Sequence, residues 1–491
     1  MDMAHRSTGI NRKNAARPTG YALLRALTVV SMLALAGCKT LSPDGGIDFV
    51  AGLTSDELRK DVAVIRTAED AVVIRERVAH LLKRSLTPEA AVQIALLNNR
   101  GLQAAYNELG IAEVTMVDAS RPPIPTFSIE RMTNPAELEI ERRIVANILS
   151  LATLPARAEI AEGRFRQAQY RAVGETFRVG AEARRAWYRA VAARELAGFL
   201  VQAQSAAETA TQLTKRLGET GAVSKLDQAR DQVFYAEITA QLATARQRAT
   251  SERERLVRWM GLWGSDLDFK LPAALPPLPR VKSLPAIEIE AIRKRGDLQI
   301  ARIEVDTLAK SYGLTQATRF ISLLEIAGID KLVIEKETGH RERTRGFEME
   351  FQIPIFDFGA GAVRRGEQTY TQAVNRLIEK AINVRSEARD AYRVYRSTYD
   401  IAAHYRREVL PLRKIISDET LLRYNAMQID VFALLVETRQ RINSTVAALE
   451  AQREFWLAQT GLMTAVVGGG GGGESESARP AATAEAGGGG H

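Results

Sequence analysis

The strongest constraint on the fold is that the second half of the sequence repeats the first. Three segments of the first half recur, in the same order, about 200 residues later. Their offsets differ by only a few residues, and each copy is far longer than a solenoid repeat, which indicates one ancient duplication. The matched segments are LQAA at Leu102 and LQIA at Leu298, EARRAW at Glu182 and EARDAY at Glu387, and RERLVRWMGL at Arg253 and REFWLAQTGL at Arg453.

Both halves predict the same order of elements: an opening helix, a strand region, a very long helix, a short turn and a second long helix. The first opening helix is predicted over 87–120, with Thr87 as its N-cap and Pro88 at its first position. Its counterpart is predicted over 286–316. The stretch 157–215 contains no proline and predicts roughly 85–90 Å of unbroken helix. The returning helix is predicted over 225–260.

The long helix carries an apolar seam with a seven-residue period, which is typical of coiled-coil packing. Its residues are mostly alanine, and small side chains bury little area at each contact. The sequence therefore favours an assembly that gives each helix several neighbours over an ordinary lone helical hairpin. The seam consists of Val179, Ala183, Ala186, Ala190, Ala193, Ala197 and Leu200.

The stretch Gly346–Ile353 (GFEMEFQI) alternates strictly between apolar and polar residues and predicts a two-faced β-strand. Strand-like runs also occur at 126–130 and 138–144, with weaker alternation, and at 320–327 and 332–337. Together the runs form one hairpin-like region in each half, about four strands per chain. Four strands cannot close a barrel, whereas three copies would supply twelve. Either a shared membrane barrel or a small soluble sheet is compatible with the pattern, and we favour the barrel. The predicted lipid-facing residues are Phe347, Met349, Phe351 and Ile353.

The N-terminal segment predicts export and lipidation. Basic residues precede an apolar run, 26–36, which is too short to span a bilayer. The run ends in Leu35-Ala36-Gly37-Cys38, which resembles a bacterial lipobox, with Cys38 as the lipid-bearing residue. An ordinary signal peptide with an incidental cysteine is the alternative. Lys39 is not the aspartate associated with inner-membrane retention, so the expected location is the outer membrane.

Composition argues against nucleic-acid binding and catalysis. The net charge is +8, half of it in the first 37 residues, and the remaining basic residues alternate with acidic ones along the helices. Cys38 is the only cysteine, so a disulfide or cysteine metal site within one chain is excluded. The five histidines are scattered, and neither a zinc-protease motif nor a P-loop nor a nucleophile elbow occurs. We expect no enzyme activity, no metal site and no cofactor.

Across roughly 85–465 the sequence resembles the TolC-type outer-membrane efflux family. The resemblance rests on the duplicated helical order, the turn Pro354–Gly359 (PIFDFG) and two helix-turn-helix segments, RLGETGAVSKLD from Arg216 and RYNAMQIDVFALL from Arg423. It implies a mainly α fold with a small β part, in which long helical hairpins form a trimeric α-barrel and four strands per chain join a twelve-stranded outer-membrane barrel.

The resemblance also implies that the two turn segments are periplasmic tips that contact an adaptor protein. Gly221 fits the family pattern, whereas Met427 stands where the second glycine is expected. Asp227 is the candidate aperture residue. The acidic residues of the second constriction would fall at Ala433 and Val436, so the gate is expected to differ. The predicted contact residues are Arg216, Gly221, Ala222, Val223, Arg423, Tyr424, Met427, Gln428 and Ile429.

The function implied by the resemblance is a passive exit duct in the outer membrane of a Gram-negative bacterium. Its partners would be two further copies of the chain, a periplasmic adaptor, an inner-membrane pump and outer-membrane lipid. By analogy, metal ions are favoured over drugs or solvents as cargo. The alternative is a periplasmic lipoprotein scaffold or adaptor built from helical hairpins without a barrel.

We expect six segments along the chain. The stretch 55–84 is predicted to be a single amphipathic helix, preceded by a tether over 39–53. The predicted segments are a signal peptide (1–37), a lipid tether with the N-terminal helix (38–84), a first repeat (85–270, strands about 122–145), a Pro-rich linker (271–285), a second repeat (286–467, strands about 318–354) and a disordered Gly-rich tail (468–491).

Overall fold

The structure, a computed structural model, describes residues 40–221, 223–281 and 283–468. The signal peptide, Cys38, Ala222 and the tail beyond Gly468 lie outside the described residues. The chain divides into two compact units. The smaller unit comprises Val117–Ala158 and Leu324–Glu350 together with residues 40–42, and it contains most of the β-structure. The larger unit comprises Pro43–Met116, Glu159–Leu323 and the rest of the described chain from Phe351.

From Pro88 onward, the helices and strands of the first half follow the order that the sequence predicts. Thr87 caps the opening helix, because its side chain accepts a hydrogen bond from the Ala90 amide (3.1 Å) and Pro88 follows at the first helical position. The elements are α1 (Ile47–Leu58), α2 (Ala68–Leu82), α3 (Pro88–Asn98), α4 (Arg100–Ala119), β1 (Thr126–Thr133), β2 (Glu137–Asn147), α5 (Ile148–Ala152), α6 (Leu154–Glu219) and α7 (Lys225–Met260), followed by a 3₁₀ turn (Gly264–Leu267).

The second half repeats this order, which confirms the duplication at the level of structure. One difference stands out: the long helix of the second half contains a single π-helical turn. The elements are α8 (Ile287–Lys294), α9 (Gly296–Ala317), β3 (Leu323–Glu335), β4 (Arg341–Gln352), α10 (Ala360–His404), the π turn (Tyr405–Val409), α11 (Leu410–Asn425) and α12 (Val431–Val467).

The two opening helices are each broken once, where the sequence predicts one continuous helix. Asn99 and Arg295 leave the helical region with ψ of 118° and 119°. Side chains stabilise both breaks. The Asn99 side-chain amide donates to the Trp259 carbonyl (2.9 Å), and Arg295 forms an ion pair with Glu387 of α10. Such partners come from elsewhere in the fold, which is why helix periodicity does not reveal the breaks.

The prediction of one helix over 55–84 is wrong, as is the prediction of a tether throughout 39–53. Helix α1 begins at Ile47 and buries Val50 completely. It ends where Arg59 adopts a left-handed conformation (φ 53°). The chain is then without helix or strand up to Thr67, which starts α2 through reciprocal hydrogen bonds with Asp70. Two helices joined by a segment without helix or strand therefore precede the first repeat.

The smaller unit is built around a four-stranded sheet in the order β1-β2-β3-β4. β1 and β3 both pair antiparallel with β2, with Phe127 opposite Ile144 and Ile144 opposite Gly328. The prediction of four strands is confirmed. The runs 320–327 and 332–337, predicted as separate strands, form the single strand β3, because the intervening Gly328–Lys331 also pairs with β2. Ile353 lies one residue beyond β4.

In the larger unit the alanine seam of α6 is buried as predicted. Ala183, Ala186 and Ala190 are at most 1% exposed, and only Ala197 is partly exposed. The large side chains concentrate in one region where α6, α10 and α12 meet. There Tyr188 stacks on Trp456 with a centroid distance of 5.0 Å, and the Trp187 indole donates to the Leu86 carbonyl (2.9 Å). Aromatic packing in this region compensates for the small area that the alanine seam buries.

Candidate functional site

The first helical hairpin turns at Gly221, which has a left-handed backbone (φ 77°) and open space around it, since a Cβ added there would meet no heavy atom within 4 Å. The Gly221 amide donates to the Gly218 carbonyl (3.1 Å) and closes α6. Ser224 then caps α7 by accepting from the Asp227 amide (3.2 Å). Arg216 is exposed and Val223 half-buried. The turn therefore exposes a short surface of polar and apolar side chains on a hydrogen-bonded backbone.

The second hairpin makes the same turn without a glycine. Met427 adopts the left-handed conformation (φ 58°), and its side chain is 94% exposed. Its amide donates to the Tyr424 carbonyl (2.9 Å), and the Gln428 amide donates to the Arg423 carbonyl (2.9 Å). Asp430 caps α12 by accepting from the Ala433 amide (2.8 Å). The departure from the expected glycine thus changes the residue and preserves the conformation.

Asp227, the predicted aperture residue, is held by local contacts. Its carboxylate accepts from the Ser224 hydroxyl (2.6 Å) and pairs with Arg230 (3.2 Å) on the same helix. The Arg230 guanidinium also lies over the Phe432 ring of the second hairpin, 4.6 Å from its centroid. Asp227 is therefore linked through Arg230 to the neighbouring hairpin.

Sequence reasoning missed a buried acid in the same hairpin. Asp231 is 2% exposed and accepts a hydrogen bond from the hydroxyl of Thr214, which is 1% exposed. Burial raises the pKa of the Asp231 carboxyl, and the nearby Asp227 charge raises it further, while the Thr214 hydrogen bond lowers it. The sequence offered one signal for this buried acid: a charged residue one helical turn after Asp227, on the inward side of α7.

Next to these turns, α7 and α12 border a groove of about 470 Å³. Several of its apolar side chains are exposed, including Leu226 (60%) and Val233 (57%). Arg439 of α12 forms an ion pair with Glu237 of α7 and fixes the helices beside the groove. The apolar lining includes Leu226, Val233, Phe234, Phe432, Leu435 and Val436.

The sheet has two chemically different faces. Arg343 and Arg345 contact Asp330, whereas Glu348 pairs with Arg143 (2.8 Å), so odd and even positions of β4 lie on opposite faces. Phe347, Met349 and Phe351 therefore share one face, as predicted, and are 81%, 52% and 58% exposed. The register of β1, β2 and β3 places further apolar residues on the same face: Phe127, Ile129, Ile140, Ile144, Ile326 and Leu332.

The opposite face of the sheet is acidic. Glutamates occupy positions on all four strands of this face, while Lys331 and Arg143 are its basic residues. Lys331 forms an ion pair with Glu139. Exposed apolar residues on one face and carboxylates on the other would suit a sheet placed between lipid and water. The glutamates are Glu130, Glu137, Glu139, Glu141, Glu325, Glu335, Glu342, Glu348 and Glu350.

After β4, the PIFDFG segment forms a tight turn into α10. Phe358 and Gly359 both have left-handed backbones (φ 48° and 75°). The Asp357 carboxylate accepts from the amides of Gly359 (2.9 Å) and Gly361 (3.1 Å), which lowers its pKa. A Cβ on Gly359 would lie 2.3 Å from the Arg319 carbonyl oxygen. The glycine is therefore required by both its conformation and the close approach of the backbone.

The described residues contain no group of three or more potential metal ligands. Among the same residues, we find no helix that combines the length and apolar character needed to cross a membrane.

Solved structures resemble this chain over most of its length. A membrane protein from Pseudomonas aeruginosa superposes with a TM-score of 0.68 at 16% identity, covering 77% of this chain and 93% of that chain. The CmeC outer membrane channel of Campylobacter jejuni gives 0.66 at 15% identity, covering 78% and 86%. The MtrE outer membrane channel of Neisseria gonorrhoeae gives 0.63 at 14% identity, covering 77% and 88%.

The protein has the fold of the TolC-type outer-membrane channels. No protein-family model matches the chain, and no curated protein matches it in sequence. The chain is therefore similar to these proteins in structure, and sequence identities of 14–16% establish the shared fold alone. Within this TolC-type fold, those predicted contact residues that the structure describes, all except Ala222, lie at or beside the two hairpin turns, and the predicted lipid-facing residues lie on or just beyond β4.

Proposed function

We propose that the protein is an outer-membrane channel, the exit duct of a tripartite efflux pump. The observation that carries the proposal is a TolC-type fold that matches 86% and 88% of the length of two outer-membrane channels, combined with a sheet that exposes an apolar face. In this role the protein conducts substrate passively and needs no catalytic residue.

The sheet supports assembly as a trimer. β1 and β4 are its edge strands, and each offers a row of backbone groups for further pairing. Such an edge is not tolerated in lipid, so the sheet must close on something. β1 and β4 run in opposite directions, so the β4 of one copy can pair antiparallel with the β1 of the next. Three copies then close a twelve-stranded barrel, with Phe347, Met349, Phe351 and Ile353 towards lipid.

We assign the two helical hairpin turns to contact with a periplasmic adaptor, which couples the channel to an inner-membrane pump. The turns support this role because they present exposed side chains, among them Arg216, Met427 and Gln428, on hydrogen-bonded turns. Asp227 is the proposed aperture residue, and its link through Arg230 to Phe432 would couple the two hairpins during opening. Cys38 would carry the lipid that anchors the chain at the outer membrane.

Cations are the cargo class that the sheet favours. In the proposed barrel its acidic face lines the lumen, and rings of carboxylates concentrate cations. This supports the preference for metal ions over anionic or neutral cargo. A planar-bilayer reversal potential across a KCl gradient would show cation preference, and Glu342→Gln with Glu350→Gln would reduce it. Anion preference in the wild-type channel would contradict the assignment.

The deciding experiment compares one substitution on each face of β4. In a membrane barrel, Phe347→Lys places a charge in lipid at a cost of roughly 2–4 kcal/mol near the midplane, whereas Thr344→Lys places it in water. We expect Phe347→Lys to reduce the detergent-extractable trimer in isolated outer membranes and Thr344→Lys to leave it unchanged. Native mass in mild detergent measures the trimer.

The alternative, a periplasmic scaffold or adaptor, predicts a different result. A soluble sheet with Phe347 already 81% exposed would tolerate both substitutions equally. A protein released from membranes without detergent, or a monomer after extraction, would favour the scaffold and reject the channel.

A further inference from the structure

Five arginines interrupt the apolar face of the sheet. Arg131 and Arg142 are placed on this face by the strand register, Arg343 and Arg345 by their contacts with Asp330, and Arg341 by the alternation of side chains along β4. We call this set the arginine belt: Arg131 on β1, Arg142 on β2, and Arg341, Arg343 and Arg345 on β4.

The arginine belt occupies one half of the sheet, next to the two turns that connect β1 to β2 and β3 to β4, here called the strand turns. In the strand register, Arg142 lies opposite Ile129 of β1 and Asp330 of β3. Arg131 lies opposite Ile140, which is two residues nearer the strand turns along β2. On β4, Arg341 to Arg345 precede Phe347 and lie on the strand-turn side of it. The other half of the face is apolar, with Phe127, Ile144, Ile326, Phe347 and Met349.

The charge of the arginine belt is not balanced within the sheet. Asp330 is the one carboxylate that the described strands place on this face. Arg343 donates two hydrogen bonds to the Asp330 carboxylate (2.7 and 2.6 Å). The nearest guanidinium nitrogens of Arg345 and Arg142 lie 3.5 and 3.7 Å from the same carboxylate. Arg131 and Arg341 form no ion pair with the described part of the chain. Arg345 is 70% exposed and Arg142 51%.

This distribution indicates depth in a membrane. An arginine on a lipid-facing strand is costly at the bilayer midplane and nearly neutral at the interface. The apolar half therefore fits the hydrocarbon layer, and the arginine belt fits the headgroup layer at the strand turns. Guanidinium groups bind phosphate through paired N–H donors, which makes phosphorylated lipid the complementary partner.

We propose that the arginine belt binds the phosphate groups of anionic lipid in the membrane leaflet at the strand turns. This inference rests on the proposed function, because it needs the apolar face to lie against lipid. The bound lipid would fix the height of the barrel in the membrane and neutralise the arginines that Asp330 leaves unbalanced.

The test removes positive charge from the arginine belt and keeps the ion pair between Arg343 and Asp330. The triple variant Arg131→Gln/Arg341→Gln/Arg345→Gln keeps Arg142, Arg343 and Asp330. The matched control, Arg364→Gln/Arg365→Gln/Arg376→Gln, removes three exposed arginines from α10. Full-length protein extracted in mild detergent is titrated with lipid A by calorimetry, with zwitterionic phosphatidylethanolamine as the reference lipid.

We expect the triple variant to bind lipid A on the order of 100-fold more weakly than wild type, since each basic residue near an anionic surface contributes about fivefold. The control should bind as wild type does, and phosphatidylethanolamine should bind weakly to all three. Equal lipid A binding by the triple variant and wild type would overturn the proposal.

Other outcomes are also decisive. If the triple variant fails to assemble, the single variant Arg131→Gln replaces it, with an expected loss of about fivefold. Trimers that conduct but bind lipid A no better than phosphatidylethanolamine would overturn the arginine belt and leave the channel function standing. Release of the protein from membranes without detergent would reject both.

Discussion

The two halves of the molecule solve the same structural problems with different residues. In the first half, α6 runs for 66 residues without interruption. In the second, α10 and α11 cover the equivalent stretch but are separated by the π turn, where the Leu410 amide donates to the Tyr405 carbonyl. Pro411 follows at the start of α11 and lacks the amide that would continue an α-helix. The duplicated fold therefore fixes the path of the chain and leaves local hydrogen bonding to the sequence.

The helical hairpin turns and the helix ends show the same contrast. Gly221 and Met427 both adopt left-handed backbones, although only one is a glycine. Conversely, Gly261 and Gly461 are matched in sequence but not in structure: Gly261 ends α7 with φ 66°, whereas Gly461 lies inside α12. Sequence likeness between the halves thus predicts the order of elements better than it predicts where each one ends.

The largest expected difference is at this glycine pair. Gly261→Ala should destabilise the protein by about 3–4 kcal/mol, because the left-handed backbone and a Cβ 2.7 Å from the Asn98 carbonyl both oppose a side chain. Gly461→Ala has nothing within 4 Å and should stabilise by up to ~1 kcal/mol. Thermal unfolding followed by circular dichroism of the detergent-solubilised protein measures both. Equal effects would mean that Gly261 and Gly461 occupy equivalent structural positions.

The next comparison moves the proline between halves. At the offset that aligns EARRAW with EARDAY, the exposed Ala206 of α6 corresponds to Pro411. Ala206→Pro should cost about 3 kcal/mol, because it removes a helical hydrogen bond and its ring opposes the preceding turn. A much smaller loss would show that α6 can form a π turn of its own. Pro411→Ala is the matched variant, and its melting temperature should not fall.

A smaller effect is expected at the helical hairpin turns. Met427→Gly keeps the left-handed conformation and removes its cost of ~1–2 kcal/mol. Glycine also gives the unfolded chain more conformational entropy, which lowers the stability by ~0.4–1 kcal/mol. The net expectation is stabilisation by about 0.5–1 kcal/mol in the same melting assay. Gly221→Ala should have the opposite sign, since only the backbone conformation opposes it. Destabilisation by Met427→Gly would show that the methionine side chain contributes contacts of its own.

The smallest effect concerns the buried acid of the first hairpin. Because burial raises the pKa of Asp231 in the folded state, the folded protein binds more protons than the unfolded one over the interval between the two pKa values. Stability from this group is therefore lost as pH rises through that interval. Asp231→Asn should raise the melting temperature at pH 7, and the advantage should shrink towards pH 4. Asp418→Asn, at an exposed position of α11, should change little at either pH.

Most of the architecture was predictable because it depends on local periodicity. The proline-free stretch of α6, the Thr87 cap, the alternation of β4 and the burial of the seam all follow from residue spacing. The breaks at Asn99 and Arg295 were not predictable, since they are stabilised by Trp259 and Glu387, which lie far away in sequence. The union of two predicted strands into β3 likewise depends on pairing with β2.

The sequence by itself determined the duplication, the order of helices and strands, and which residues of β4 share a face, because each is a matter of periodicity along one segment. Only the tertiary structure decided that Met427 takes a glycine-like conformation, that Asp231 is buried against Thr214, and that arginines from two strands meet around Asp330 of a third. These features arise from contacts between segments distant in the chain or from conformations disfavoured locally. Their free energy comes from the surrounding fold, so no single stretch of sequence reveals them.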